Sequence, residues 1–154
     1  MVKPALFLLH TGPDGPRDQE DPIMPLSRVF LRRGKPDAYR QAILDGLYEA
    51  MRETFNVPEH DYFMVVTEHD AANFRGSPNY LGVSRSEDLV IVQLTVSNTR
   101  TQAQKKALYR RIVEKLTRNP GLRPEDVFIN LVETLPENWS MGHGIAQYAT
   151  DAAA

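Results

Sequence analysis

Few side chains in this chain combine a reactive group with a spacing that would let it work. There is no cysteine among the 154 residues, which excludes thiolate nucleophiles, thiolate metal sites and disulfides together. His60, His69 and His143 do not stand at metal-ligand spacing, and the pairs His60-Asp61 and His69-Asp70 read as solvated loop residues. Gly142-His143-Gly144 is too short for a phosphate-binding loop. The basic run over residues 110–118, interrupted by Glu114, reads as the solvated outer face of a helix. Taken alone, Arg100 is a surface charge ahead of a helix, and Asp61 is a turn residue between helix and strand. Pro25 taken alone starts an edge strand, where its missing N–H costs nothing.

Composition narrows the classes further. With 42% hydrophobic and 25% charged residues the chain can bury the core of a single globular domain. A formal charge of -2 and a pI of about 6.1 provide no field that would draw it to nucleic acid or an anionic membrane. No segment approaches the length of a membrane span. The apolar run at residues 5–9 is too short for a signal peptide and lacks a small-residue cleavage site. A reducing cytoplasm is therefore expected, and Asn138-Trp139-Ser140 is a chance match to the glycosylation pattern.

The elements that must position any site follow from periodicity. Residues 11–23 hold three prolines, two glycines and five charges, and read as a linker or extended arm. A strand is expected over residues 26–31, then a helix after Gly34. Tyr39, Ile43, Leu47 and Met51, widened by Ala42, Ala50 and Phe55, mark that helix's buried stripe. Residues 62–67 form a second strand. Residues 89–96 are almost continuously apolar, as suits the centre of a sheet. Thr101 and Gln104 make a capping box for a second helix with Leu108, Ile112 and Leu116 inside, and residues 127–132 supply a fourth strand.

The two halves are copies. Leu47-Tyr48 matches Leu108-Tyr109, and Pro58-Glu59-His60-Asp61 matches Pro124-Glu125-Asp126, which puts Asp126 in Asp61's place. Two tandem β-α-β units, over about 24–70 and 88–136, predict an α+β fold: a four-stranded mixed sheet with two helices on one face. The opposite face needs cover, and oligomerisation provides it simply.

Two fused β-α-β units, a Met-Pro before the first strand, the segments Val57-Pro58-Glu59-His60-Asp61 and Pro124-Glu125-Asp126-Val127, the Gln104-Lys105 helix start and the run Asn138-Trp139-Ser140-Met141-Gly142-His143-Gly144 resemble the tautomerase superfamily. Within it the chain is most similar to the malonate semialdehyde decarboxylase group, over Met24 to about Tyr148. The resemblance implies a homotrimer without a cofactor, in which an amino-terminal proline acts on a small carboxylate-bearing enol, 2-oxo acid or semialdehyde. It implies that Pro25 is that proline, that Arg100 clamps the substrate carboxylate, and that Asp61 assists water or proton movement. Asn98, Trp139, Met141 and Tyr148 then fall at the substrate. Asn98 stands where the decarboxylases have a second arginine, and Lys35 stands where an arginine commonly follows the first glycine. Loss of the second guanidinium favours tautomerisation or hydration over decarboxylation.

The amine chemistry has one condition. An α-amino group titrates at about 7.7 to 8.0, so a free prolyl nitrogen can act as base or acid near neutrality, whereas an amide-bonded one has neither lone pair nor proton to trade. Two accounts of residues 1–23 remain open. Translation from Met24 followed by methionine removal would expose Pro25. A genuine extension, with residues 5–9 adding a strand or capping a neighbouring subunit, would block it and leave a non-enzymatic oligomer or ligand-binding module.

Overall fold

The computed structural model describes residues 24–149; the expectations for residues 1–23 lie outside them. Strand β1 (Leu26–Arg32) alternates as its sequence dictates, with Ser27, Val29 and Leu31 buried against the helices and Arg28, Phe30 and Arg32 on the other face. Helix α1 (Asp37–Phe55) buries Ile43, Leu47, Ala50, Met51 and Phe55. Asn56 ends it in the left-handed conformation, at φ 54°, a geometry Asn tolerates better than most residues. Strand β2 (Phe63–His69) follows, then an irregular connection, then β3 (Val90–Ser97). Helix α2 (Gln102–Arg118) begins on the predicted capping box: Thr101 Oγ1 accepts from the Gln104 N–H at 3.1 Å, and Gln104 Oε1 accepts from the Thr101 N–H at 2.9 Å. Strand β4 (Val127–Thr134) completes the sheet.

The strand order is β2-β1-β3-β4, with β1 and β2 parallel, β3 and β4 parallel, and β1 and β3 antiparallel. Leu26 pairs with Phe63 and Val90 with Val127, the same interval along the chain in both units. The mixed four-stranded sheet with two helices is the predicted α+β fold. Its core joins Val29, Leu31, Val90, Val92, Leu94 and Val96 to both helix stripes. At Gly46 a Cβ would stand 2.9 Å from Leu116 Cδ2, so the missing side chain is what lets α1 approach α2.

Several readings change. β1 is an interior strand, so Pro25 does not start an edge strand; it escapes the ladder by standing one residue before the first pair. The basic run on α2 is more than a solvated face: Arg111 pairs with Glu53, and Lys115 with Glu49 and Glu53 at 2.8 Å each, tying α2 to α1. His69 closes β2, its ring 5.9 Å from that of Phe30 and 6.1 Å from that of Phe74. Among the described residues no helix is long and apolar enough to cross a membrane.

Candidate active site

The strand directions decide which residues meet. The N-terminal ends of β1 and β2 lie at the same end of the sheet as the C-terminal ends of β3 and β4. Pro25 immediately precedes Leu26, which pairs with Phe63 on one side and Thr95 on the other. Asp61 stands two residues before Phe63, and Asn98 and Arg100 leave the end of β3. All four therefore gather at one end of the sheet, although 75 positions separate Pro25 from Arg100.

Asp61 is held by a turn. Its N–H donates to the Pro58 carbonyl at 3.2 Å, with His60 at φ 70° and the His60 N–H donating to Tyr48 Oη at 3.0 Å. A positive φ at the third residue characterises such turns. Burial pushes the Asp61 carboxyl above its ordinary value, and a hydrogen bond from the Met24 N–H opposes this. The carboxylate therefore lies against the peptide unit one residue ahead of the Pro25 nitrogen. Met24, buried and at φ 37°, and Pro25, also buried, share this spot.

Arg100 is oriented by groups the sequence reading missed. Its Nη2 donates to the carbonyl of Phe55 at 3.1 Å, its Nη1 donates to Thr99 Oγ1 at 2.9 Å, and its guanidinium lies 5.4 Å from the centre of the Phe55 ring. Phe55 is the last residue of α1, so its carbonyl is one that no helical N–H can reach. A guanidinium satisfies it and is favoured by the helix's negative end. Thr99 carries no signal in the sequence beyond its place beside Arg100, and Phe55 belongs to the buried stripe of α1 as well.

Asn98 and Trp139 sit at the same end. Asn98 is exposed and its N–H donates to the Thr134 carbonyl at 3.0 Å. Trp139 Nε1 donates to Thr134 Oγ1 at 2.8 Å, which anchors the tail leaving β4. That tail carries Met141, half-buried, whose N–H donates to Gln147 Oε1 at 2.9 Å, and Tyr148, exposed in the single chain. Asp126 does not repeat Asp61's role: it is fully buried and accepts from the Ser86 N–H at 2.7 Å and the Ser86 hydroxyl at 2.6 Å, anchoring the β2–β3 connection. The register places it one residue before its strand where Asp61 stands two before. Lys35, ahead of α1, belongs to the opposite end of the sheet.

Comparison with known proteins agrees with this architecture. A family model described as tautomerase enzyme matches residues 61–142. The probable tautomerase YusQ of Bacillus subtilis (strain 168) is 40% identical over 124 residues, covering 80% of this chain and 98% of the relative. The probable tautomerase YrdN of the same strain is 32% identical over 127 residues, 82% and 98% respectively. Among solved structures, a malonate semialdehyde decarboxylase described with decarboxylase and hydratase activities superposes with a TM-score of 0.75 at 32% identity, covering 80% of this chain and 95% of that one. A fused 4-OT, solved as a symmetric trimer, shares the fold with a TM-score of 0.66 at 20% identity, covering 80% and 97%.

Proposed function

The chain belongs to the tautomerase superfamily, and on that premise we propose that it is an enzyme that uses the amine of Pro25, as a free amino terminus, on a small carboxylate-bearing enol, 2-oxo acid or semialdehyde. The observation that carries this reading is the convergence at one sheet end of Pro25, Asp61 and Arg100, with Asp61 one residue from the prolyl nitrogen. Arg100 binds the substrate carboxylate through parallel N–H bonds from its planar fork. In tautomerisation the neutral prolyl nitrogen removes the enol O–H proton, the carbonyl forms, and the prolinium returns a proton to carbon. In hydration Asp61 orients the attacking water. Asn98, with no second guanidinium to hold a departing carboxylate, favours these two reactions over decarboxylation. The relatives, a probable tautomerase on one side and a decarboxylase with hydratase activity on the other, are consistent with this choice. We take the assembly to be a homotrimer, as in the fused 4-OT.

The test compares protein whose first residue, verified by intact mass, is Pro25 with protein retaining upstream residues, using phenylenolpyruvate ketonisation. Only the first is expected to turn over, and Pro25→Ala and Arg100→Ala are each expected to lower kcat/KM by about 10²-fold or more. Full activity in both variants, or in chains with a blocked Pro25, defeats the reading. An intact mass that includes residues 1–23 in protein made from the native gene, together with no turnover until they are removed, favours the binding-module alternative.

A further inference from the structure

The duplication that creates one site creates a second place at the opposite end of the sheet. There the position equivalent to Pro25 is Leu89, since each immediately precedes the first residue paired in its unit. The position equivalent to Arg100 is Lys35, since each immediately precedes the N-cap of the helix that follows, Thr101 for α2 and Pro36 for α1. An amide-bonded leucine has no amine to use, so this end lacks the proton chemistry proposed for the first.

It nonetheless retains a cavity. A hollow of about 250 Å³ is lined by Arg32, Arg33, Gly34 and Lys35 from one side and by Glu87, Asp88 and Leu89 from the other. A second hollow of about 200 Å³ adjoins it through Arg32, Glu87 and Leu89. Arg32 stands between them, its guanidinium 5.9 Å from the centre of the buried Phe74 ring. Its Nε is buried and has no hydrogen-bond partner among the described residues. The partner it does have, Glu87, is 3.4 Å from Nη1 and has a side chain 92% exposed, an ion pair of the kind that contributes little. Lys35 pairs with Asp88 at 2.8 Å and lies 5.1 Å from the centre of the Tyr39 ring, and Arg33 pairs with Asp70 outside the hollow at 3.0 Å. Arg32 and Lys35 thus face Glu87 and Asp88 across a cavity smaller than those that hold drug-sized ligands.

We propose that this end of the sheet is a non-catalytic binding site for a small oxyanion, a carboxylate or a phosphate, held by the Nη–H groups of Arg32 with Lys35 beside it. The Arg32 guanidinium lies over the Phe74 ring and its ion pair is with the exposed Glu87, so its Nη–H fork can turn to an oxyanion, and displacing Glu87 costs little. The site depends on the repeat and not on the state of Pro25, so it stands or falls independently of the proposed activity.

The test titrates the isotopically labelled full chain in the Arg100→Ala background, which removes the first site's clamp, with sodium pyruvate and separately with sodium phosphate at constant ionic strength. Saturable shifts of the Gly34, Lys35 and Leu89 amides are expected with at least one probe. Response to pyruvate alone identifies a carboxylate site, to phosphate alone a phosphate site, and to both a general oxyanion site. Arg32→Met is expected to weaken the affinity tenfold or more. Arg32→Lys, which keeps the charge but loses the planar fork, is expected to weaken it also, guarding against a folding defect in the first variant. No saturable shift at these residues with either probe, or an affinity unchanged in Arg32→Lys, overturns the proposal.

Discussion

Asp61 is an acid placed where ionising it is costly, and that cost is measurable. Because burial raises its pKa, the folded chain holds the proton more tightly than the unfolded chain. Stability therefore falls as pH rises from the unfolded carboxylate value, about 3.9, through the raised folded value, and the penalty is fully present above both. Asp61→Asn removes the charge while keeping an acceptor for the Met24 N–H. It is expected to melt at the same or a higher temperature than the parent at pH 7, with the difference closing below about pH 3.9. Calorimetry from pH 3 to 8 checks this, and a variant that melts lower at pH 7 contradicts it. Thr99 makes a second prediction at this scale. Thr99→Val deletes the acceptor for Arg100 Nη1 at nearly constant volume. A neutral-acceptor bond of about 0.5–1.5 kcal/mol corresponds to a two- to tenfold loss in kcat/KM, appearing mainly in KM, with Thr99→Ser restoring most of it.

The N-cap of α2, Thr101, directly follows Arg100, so its capping box also limits where the guanidinium can go. Thr101→Ala removes the side-chain oxygen that accepts from the Gln104 N–H. It is expected to cost about 1 kcal/mol in urea denaturation, with a matching rise in KM as the Arg100 backbone loosens. Loss of stability without any change in KM would show that the box holds only the helix. The C-terminus of α1 takes part from the other side through the Phe55 carbonyl and ring. Two helix ends from different repeats thus hold one arginine, which explains how a flexible side chain next to a loop acquires a defined direction.

The helix-free face of the sheet is where the single chain is incomplete. Phe63 and Phe128 on the two edge strands are 51% and 47% exposed, with Val65 and Val132 beside them, an apolar extent that soluble monomers rarely leave open. Across it the register aligns Val65, Arg28, Gln93 and Asn130, and Gln93 Nε2 donates to Asn130 Oδ1 at 3.1 Å. A polar row flanked by apolar ones would help specify how copies register. Val65→Asp with Phe128→Asp is expected to convert the proposed trimer to monomer in sedimentation analysis while the isolated fold persists by circular dichroism. A parent chain that sediments as a monomer contradicts the trimer.

The sequence alone determined the two β-α-β units, the capping box and the buried stripes, because period and capping are local properties that a chain displays in order. It also singled out Pro25, Asp61 and Arg100, through motif resemblance. It could not reveal that β1 is interior, since strand order follows from the antiparallel packing of the two repeats and leaves no mark on β1 itself. Nor did it separate Asp61 from Asp126, whose segments look alike until the register offsets them by one residue, burying one carboxyl on Ser86 and setting the other against the Met24 N–H. Arg100's partners lay beyond reach for the same reason: Phe55 is 45 positions away, and only the docking of one repeat's helix end beside the other's strand end brings them into contact. Which residues carry reactive groups is written along the chain; which of them face one another is decided by strand direction and register.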